Sequence, residues 1–95
     1  MYGTVARIHM KPGTAESFLT RLQELNLERD PGLVAEYMYQ MDVDSNIYYM
    51  AVVFESKEAY LANSVRPETH ARYLQMMELA AAEPGWHDGE IIFSM

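Results

Sequence analysis

A chain of 95 residues fits one domain, 1–95, and a chain this short has a thin margin of stability. Its net charge of -7, with seven scattered Lys and Arg, argues against nucleic acid, which needs clustered cations to displace phosphate counterions. No stretch approaches the about 20 apolar residues that span a bilayer, and no basic start precedes an apolar block at the N-terminus, so neither a membrane segment nor a signal peptide is expected. The absence of cysteine excludes disulfides and thiolate chemistry and fits a reducing, cytoplasmic setting.

Residues 2 to 10 alternate as a strand, with Tyr2, Thr4, Ala6, Ile8 and Met10 on one face and Gly3, Val5, Arg7 and His9 on the other. Pro12-Gly13 ends it, and Thr14 is the expected cap of a helix whose Phe18, Leu19, Leu22 and Leu25 recur at helical spacing. Asp30-Pro31-Gly32 closes that helix. Residues 33 to 42 read as a second strand, and Asp44-Ser45-Asn46 supplies hairpin-turn chemistry. Residues 47 to 54 are nearly all apolar β-formers and read as an interior strand buried on both faces.

Ser56 caps the next helix, with Glu58 favourable in its first turn. Pro67 suits the first turn of another helix, where a missing N–H costs nothing. The stripe His70, Tyr73, Leu74, Met77, Ala80 and Ala81 is expected on its inward face. Pro84-Gly85 stops it, and Trp86 to Phe93 form a last strand. The order predicts an α+β, ferredoxin-like βαββαβ antiparallel sheet with its second helix split. Helices cover one sheet face only. Val5, Ala51 and Val53 remain on the other, which predicts a two-fold homodimer that forms a dimeric α+β barrel.

The chemistry-bearing candidates are few. His70 is expected to point at the sheet near a helix N-terminus, where the dipole and partial burial favour a neutral imidazole able to accept a proton. A hydrogen-bonded core-edge histidine fits the same position equally well. Asn63 and Tyr60 lie one turn apart on the short helix and share its inward face. The Asn63 amide is able to donate to a ligand oxygen or to serve near the helix end as a cap. Tyr60, Tyr73, Met77, Trp86 and Phe54 supply apolar and aromatic walls, a role that ordinary packing also explains. Eight Met and seven Tyr suit either an adaptable core or a pocket for a flat, partly apolar ligand. Strand alternation separates His87 from Asp88 and Glu90, so no metal site is expected. Arg7 is expected to pair with Glu36 or with an acidic residue of a partner, and most acidic residues are expected on solvent faces. No Gly-rich phosphate loop or triad is present.

Several stretches resemble the antibiotic biosynthesis monooxygenase family of small dimeric α+β barrels. They are strand one running into Lys11-Pro12-Gly13, the hairpin ending in Phe54-Glu55-Ser56, and the helix start Glu58-Ala59-Tyr60. The Ser64-to-Tyr73 segment with its Pro and His, and Trp86-His87-Asp88-Gly89-Glu90, belong to the same resemblance. It implies a cofactor-independent oxygenase of phenols or quinols, with His70 as base and Asn63 as donor to the developing anion. No cofactor or metal is then called for, and the partners are a second copy of the chain and a small aromatic ligand. Haem-degrading members carry Asn, Trp and His at three positions. Here those positions hold Ala6, Asn63 and His70, which disfavours haem breakdown. A non-catalytic ligand-binding dimer, or an isomerase or lyase using His70 as a proton shuttle, remains an alternative on the same fold.

Overall fold

The computed structural model describes residues 1–25 and 29–95. Strands β1 (Tyr2–His9), β2 (Leu33–Gln40), β3 (Ile47–Phe54) and β4 (Gly85–Glu90) form one sheet, in the order β2-β3-β1-β4. Every neighbouring pair is antiparallel. Helices α1 (Ala15–Leu25), α2 (Lys57–Ser64) and α3 (Pro67–Met77) complete the order. This is the ferredoxin-like α+β plan with a split second helix.

The hairpin and the split follow from local chemistry. Asn46 N–H donates to Asp44 Oδ1 at 2.9 Å, an Asx turn that leads into β3. Ser56 Oγ accepts from Ala59 N at 3.1 Å and caps α2. Arg66, restricted by the proline after it, is extended at φ -73° and ψ 137°, so α2 cannot run on into α3. Gly32 holds a φ of +79°, and a Cβ there would meet Ala59 Cβ at 2.7 Å, so the turn before β2 passes close under α2.

The core lies on the helix-side face of the sheet. Ala6, Ile8, Met10, Phe18, Tyr48 and Met50 are buried together, with Phe18 edge-on to Tyr48 at 4.9 Å. Leu22, Met38, Val52, Met76, Leu79 and Ala80 pack around them.

Several expected details differ. Leu19 is 57% exposed, so α1 seats Phe18 and Leu22 instead, and the Leu25 side chain lies outside the described residues. The Thr14 hydroxyl donates back to Lys11 O at 2.6 Å rather than capping α1. Strand β2 stops at Gln40 and β4 at Glu90, short of Met41 and Ile91. Strand β3 is not buried on both faces: Tyr49 is 36% exposed, and Val5, Tyr37 and Tyr39 lie exposed on the same outer face of the sheet. Helix α3 ends at Met77, and its Leu74 is exposed while Met76 packs on the core. Arg7 does not reach Glu36, because the register places Glu36 opposite Val52 on the helix side and Arg7 opposite Tyr49 on the other.

Candidate functional site

A cavity of about 480 Å³ opens between the sheet and the three helices. That volume suits a small ligand. Its floor follows from the register. Glu36 pairs with Val52, Val52 with Thr4, and Thr4 with Asp88, so these four residues form one row across the whole sheet. All four line the cavity. Each edge strand thus contributes a carboxyl group to the floor, with a valine and a threonine between them. Phe54, Met50 and Trp86 extend the floor on either side of that row, and Phe18, Leu22, Tyr73 and Met76 supply apolar wall from the helices.

At the β4 end, Tyr60 reaches down from α2. Its ring packs at 5.3 Å from Tyr2 and edge-on at 5.7 Å from Phe54. Its hydroxyl donates to Asp88 Oδ1 at 2.8 Å. Burial, then the hydrogen bond to Asp88 and the negative charge behind it, push the Tyr60 hydroxyl up to about 12, against an opposing effect of Thr4. Thr4, buried, donates its hydroxyl to His87 O at 3.3 Å.

At the β2 end the α2–α3 break gathers a charged network. Asp30 Oδ1 accepts from Arg66 Nη1 at 3.0 Å and from Arg72 Nη2 at 2.8 Å. The Asp30 side chain is 16% exposed and that of Arg72 19%, so both charges are largely withdrawn from water. Asn63 Oδ1 accepts from Arg66 Nη1 and from Thr69 Oγ1, each at 3.3 Å. The amide oxygen is therefore occupied. The amide N–H₂ makes no hydrogen bond among the described residues and is left to donate to a ligand. Glu36 lies within electrostatic reach of Asp30 and Arg72 at the same end. Loss of hydration raises its carboxyl above the usual carboxylate range, nearby Asp30 adds to the rise, and Arg72 opposes it.

His70, in the first turn of α3, lines the cavity but stays exposed at its mouth. Its ring lies at 24° to that of Tyr73 with centroids 6.4 Å apart. It does not point down onto the sheet as the periodicity suggested, because Thr69, Arg72, Tyr73 and Met76 take the inward side of α3.

The cavity therefore brings together His70, Asn63, Tyr60, Tyr73, Trp86 and Phe54. It does not include Met77; Met76 fills that place, one position earlier on the helix. Among the described residues the acidic residues are exposed except for Asp30, as expected for most of them, yet Asp30, Glu36 and Asp88 also line the site. Sequence reasoning overlooked Asp30 and Glu36 as site residues. Glu36 was legible in part, since a strand register relates it to Val52 and Thr4. Asp30 looked like ordinary turn chemistry before a Pro-Gly pair. Glu90 lies 3.7 Å from the terminal amine, and His87 sits opposite Val5 on the outer face, apart from Asp88. Among the described residues, no helix is long and apolar enough to cross a membrane.

The fold recurs in solved structures. A Nitrosomonas europaea protein of the antibiotic biosynthesis monooxygenase type superposes with a TM-score of 0.84 at 14% identity, covering 98% of this chain and 100% of its own. A Chloroflexus aurantiacus protein of the same type gives 0.81 at 20% identity, with 99% and 95% covered. An asparagine-to-alanine variant of SnoaB, a cofactor-independent oxygenase from Streptomyces nogalater, gives 0.79 at 17% identity, with 99% and 95% covered. No match was found among curated protein sequences. The family model for antibiotic biosynthesis monooxygenase matches residues 1–73, which reach from β1 through the first turns of α3 and take in Asn63 and His70, and the chain belongs to that family.

Proposed function

We propose that the protein, as one domain over 1–95, is a cofactor-independent monooxygenase that oxidises a small phenol- or quinol-type aromatic between sheet and helices. The supporting observation is that Asn63 and His70 border one mostly apolar cavity whose walls include Tyr60, Tyr73, Trp86 and Phe54. An electron-rich phenol or anthrone becomes reactive toward O₂ once deprotonated. His70 accepts that proton at the mouth of the cavity, and the Asn63 N–H₂ donates to the oxyanion that forms. With anthrone the balance is simple. The methylene carbon gains one oxygen atom, and its two hydrogens leave with the other oxygen atom as water. The family membership and the cofactor-independent oxygenase among the structural neighbours support this reading.

A second copy of the chain completes the proposal. Val5, Tyr37, Tyr39 and Tyr49 form an exposed apolar face on the side of the sheet away from the helices. Packing two such faces together hides it, and a homodimer is the commonest way to do so. A cysteine-free chain suits the reducing cytoplasm.

Oxygen uptake with anthrone tests the activity. The expected result is consumption by the parent protein and a loss of about 100-fold in His70→Ala and in Asn63→Ala. Parent-like rates in both variants would remove these residues from the mechanism. A second reading is favoured by one observation: among the described residues, no hydrogen bond orients the His70 imidazole, which lies against Tyr73. A general base usually has such an orienting partner. A ligand-binding dimer without turnover fits that arrangement, and binding of anthrone with no oxygen uptake would favour it. Anaerobic conversion of a substrate would instead favour an isomerase or lyase.

A further inference from the structure

Polar groups that line the cavity gather at its two ends. At the β2 end, the Asn63 amide presents a donor beside the carboxyl groups of Asp30 and Glu36, while the Arg66 and Arg72 guanidiniums are engaged by Asp30. At the β4 end, the Thr4 hydroxyl is spent on His87 O and the Tyr60 hydroxyl on Asp88 Oδ1. What remains there is the Asp88 carboxylate, which only accepts. Among the described residues its Oδ1 takes the Tyr60 bond and its Oδ2 takes none. Between the ends lie Val52, Met50, Phe54 and Tyr73, which offer shape and no directional partner.

We infer that Asp88, held by the Tyr60 hydroxyl, is a substrate-binding residue that accepts a hydrogen bond from a hydroxyl on the far edge of an elongated, fused-ring aromatic ligand. This rests on the reading of the cavity as an aromatic-substrate pocket. The row Glu36–Val52–Thr4–Asp88 spans the full sheet, and three strand spacings separate its ends by roughly 14 Å. A fused-ring diol with a hydrogen bond at each end fits within that span. A ligand lying along the row directs one oxygen to the Asn63 amide and the opposite one to Asp88. The first oxygen is bound as an acceptor, and the second must carry a proton. The site thereby favours a substrate with oxygen functions at both ends of the ring system over one with a single oxygen. Tyr60 is a positioning residue here. It remains protonated far above neutral pH, so its bond to Asp88 keeps one direction at every pH where the protein works.

Fluorescence titration with naphthalene-2,6-diol and with its dimethyl ether tests this. The ether has the same ring and oxygens but no proton to give Asp88. The parent is expected to bind the diol about tenfold more tightly, a difference of about 1.4 kcal/mol. Asp88→Asn keeps the size of the side chain but adds N–H donors, and is expected to remove that preference. Tyr60→Phe keeps the ring contacts to Tyr2 and Phe54, frees Asp88 to turn away, and is expected to reduce the preference part-way. A diol-to-ether ratio unchanged in Asp88→Asn overturns the inference. A parent that binds neither probe overturns it together with the aromatic-pocket reading. The titration consumes no oxygen, so a failed oxygen-uptake assay with an intact, Asp88-dependent ratio rejects the oxygenase reading alone.

Discussion

Arg72 Nη2 donates to Asp30 Oδ1 across 2.8 Å, joining α3 to the turn before β2 over a sequence separation of 42 residues. Arg66, at the break between α2 and α3, donates to the same oxygen and also to Asn63. One carboxylate thus ties the break between α2 and α3 to the turn before β2, and Arg66 links it to the Asn63 amide oxygen.

Asp30→Ala removes that shared acceptor. Ion pairs at exposed positions contribute about 1 kcal/mol or less, and breaking buried pairs costs about 3–5 kcal/mol. Arg66 is 34% exposed and Asp30 16%, so an intermediate cost of about 2 kcal/mol is expected. For a domain this small that lowers the melting temperature by about 8–16 °C. Thermal unfolding measures it, and a melting temperature within about 2 °C of the parent would deny the network a structural role.

Tyr60→Phe tests the alkaline limb of stability. The folded Tyr60 holds its proton up to about 12, above its ordinary value of 10.0. Its contribution is therefore whole below the ordinary value and is lost as pH rises through the folded one. The variant is expected to be less stable than the parent at neutral pH, and the gap should close between those two values. Denaturant unfolding across that range reads it. A gap that stays constant would place the effect in packing.

Glu36→Gln acts with the opposite sense at neutral pH. Loss of hydration raises the Glu36 carboxyl in the folded chain, so the folded state holds a proton that the unfolded state releases more readily. Ionised Glu36 then lowers stability above its ordinary titration range and ceases to do so in acid. Glutamine is expected to raise the melting temperature at neutral pH, with no gain in acid. An equal gain at both would point to a cause other than ionisation.

The outer sheet face gives a test of assembly. Tyr37→Glu places a charge among exposed Val5, Tyr39 and Tyr49. It is expected to turn a dimer into a monomer in sedimentation while the sheet and core, on the other side, stay folded. A parent that sediments as a monomer removes the homodimer from the proposal.

The sequence by itself determined the order of elements, the turn at Asp44-Ser45-Asn46, the Ser56 cap and the break before Pro67. Each of these is a local matter of backbone freedom and short-range hydrogen bonds, and each is written in a few adjacent residues. Alternation likewise separated Val5 from Ala6 and His87 from Asp88. Only the tertiary structure decided which helical residues face the cavity. Helix α3 turns Met76 inward and leaves His70 at the rim, because its rotation is set by packing on Phe18, Leu22 and the sheet as well as by its own periodicity. The same holds for the polar ends of the site. Asp30 meets Arg72, Tyr60 meets Asp88, and Glu36 joins Asp88 in one row through pairings between residues far apart in the chain. Register and helix docking are collective results of burying the core, and no short segment carries them alone.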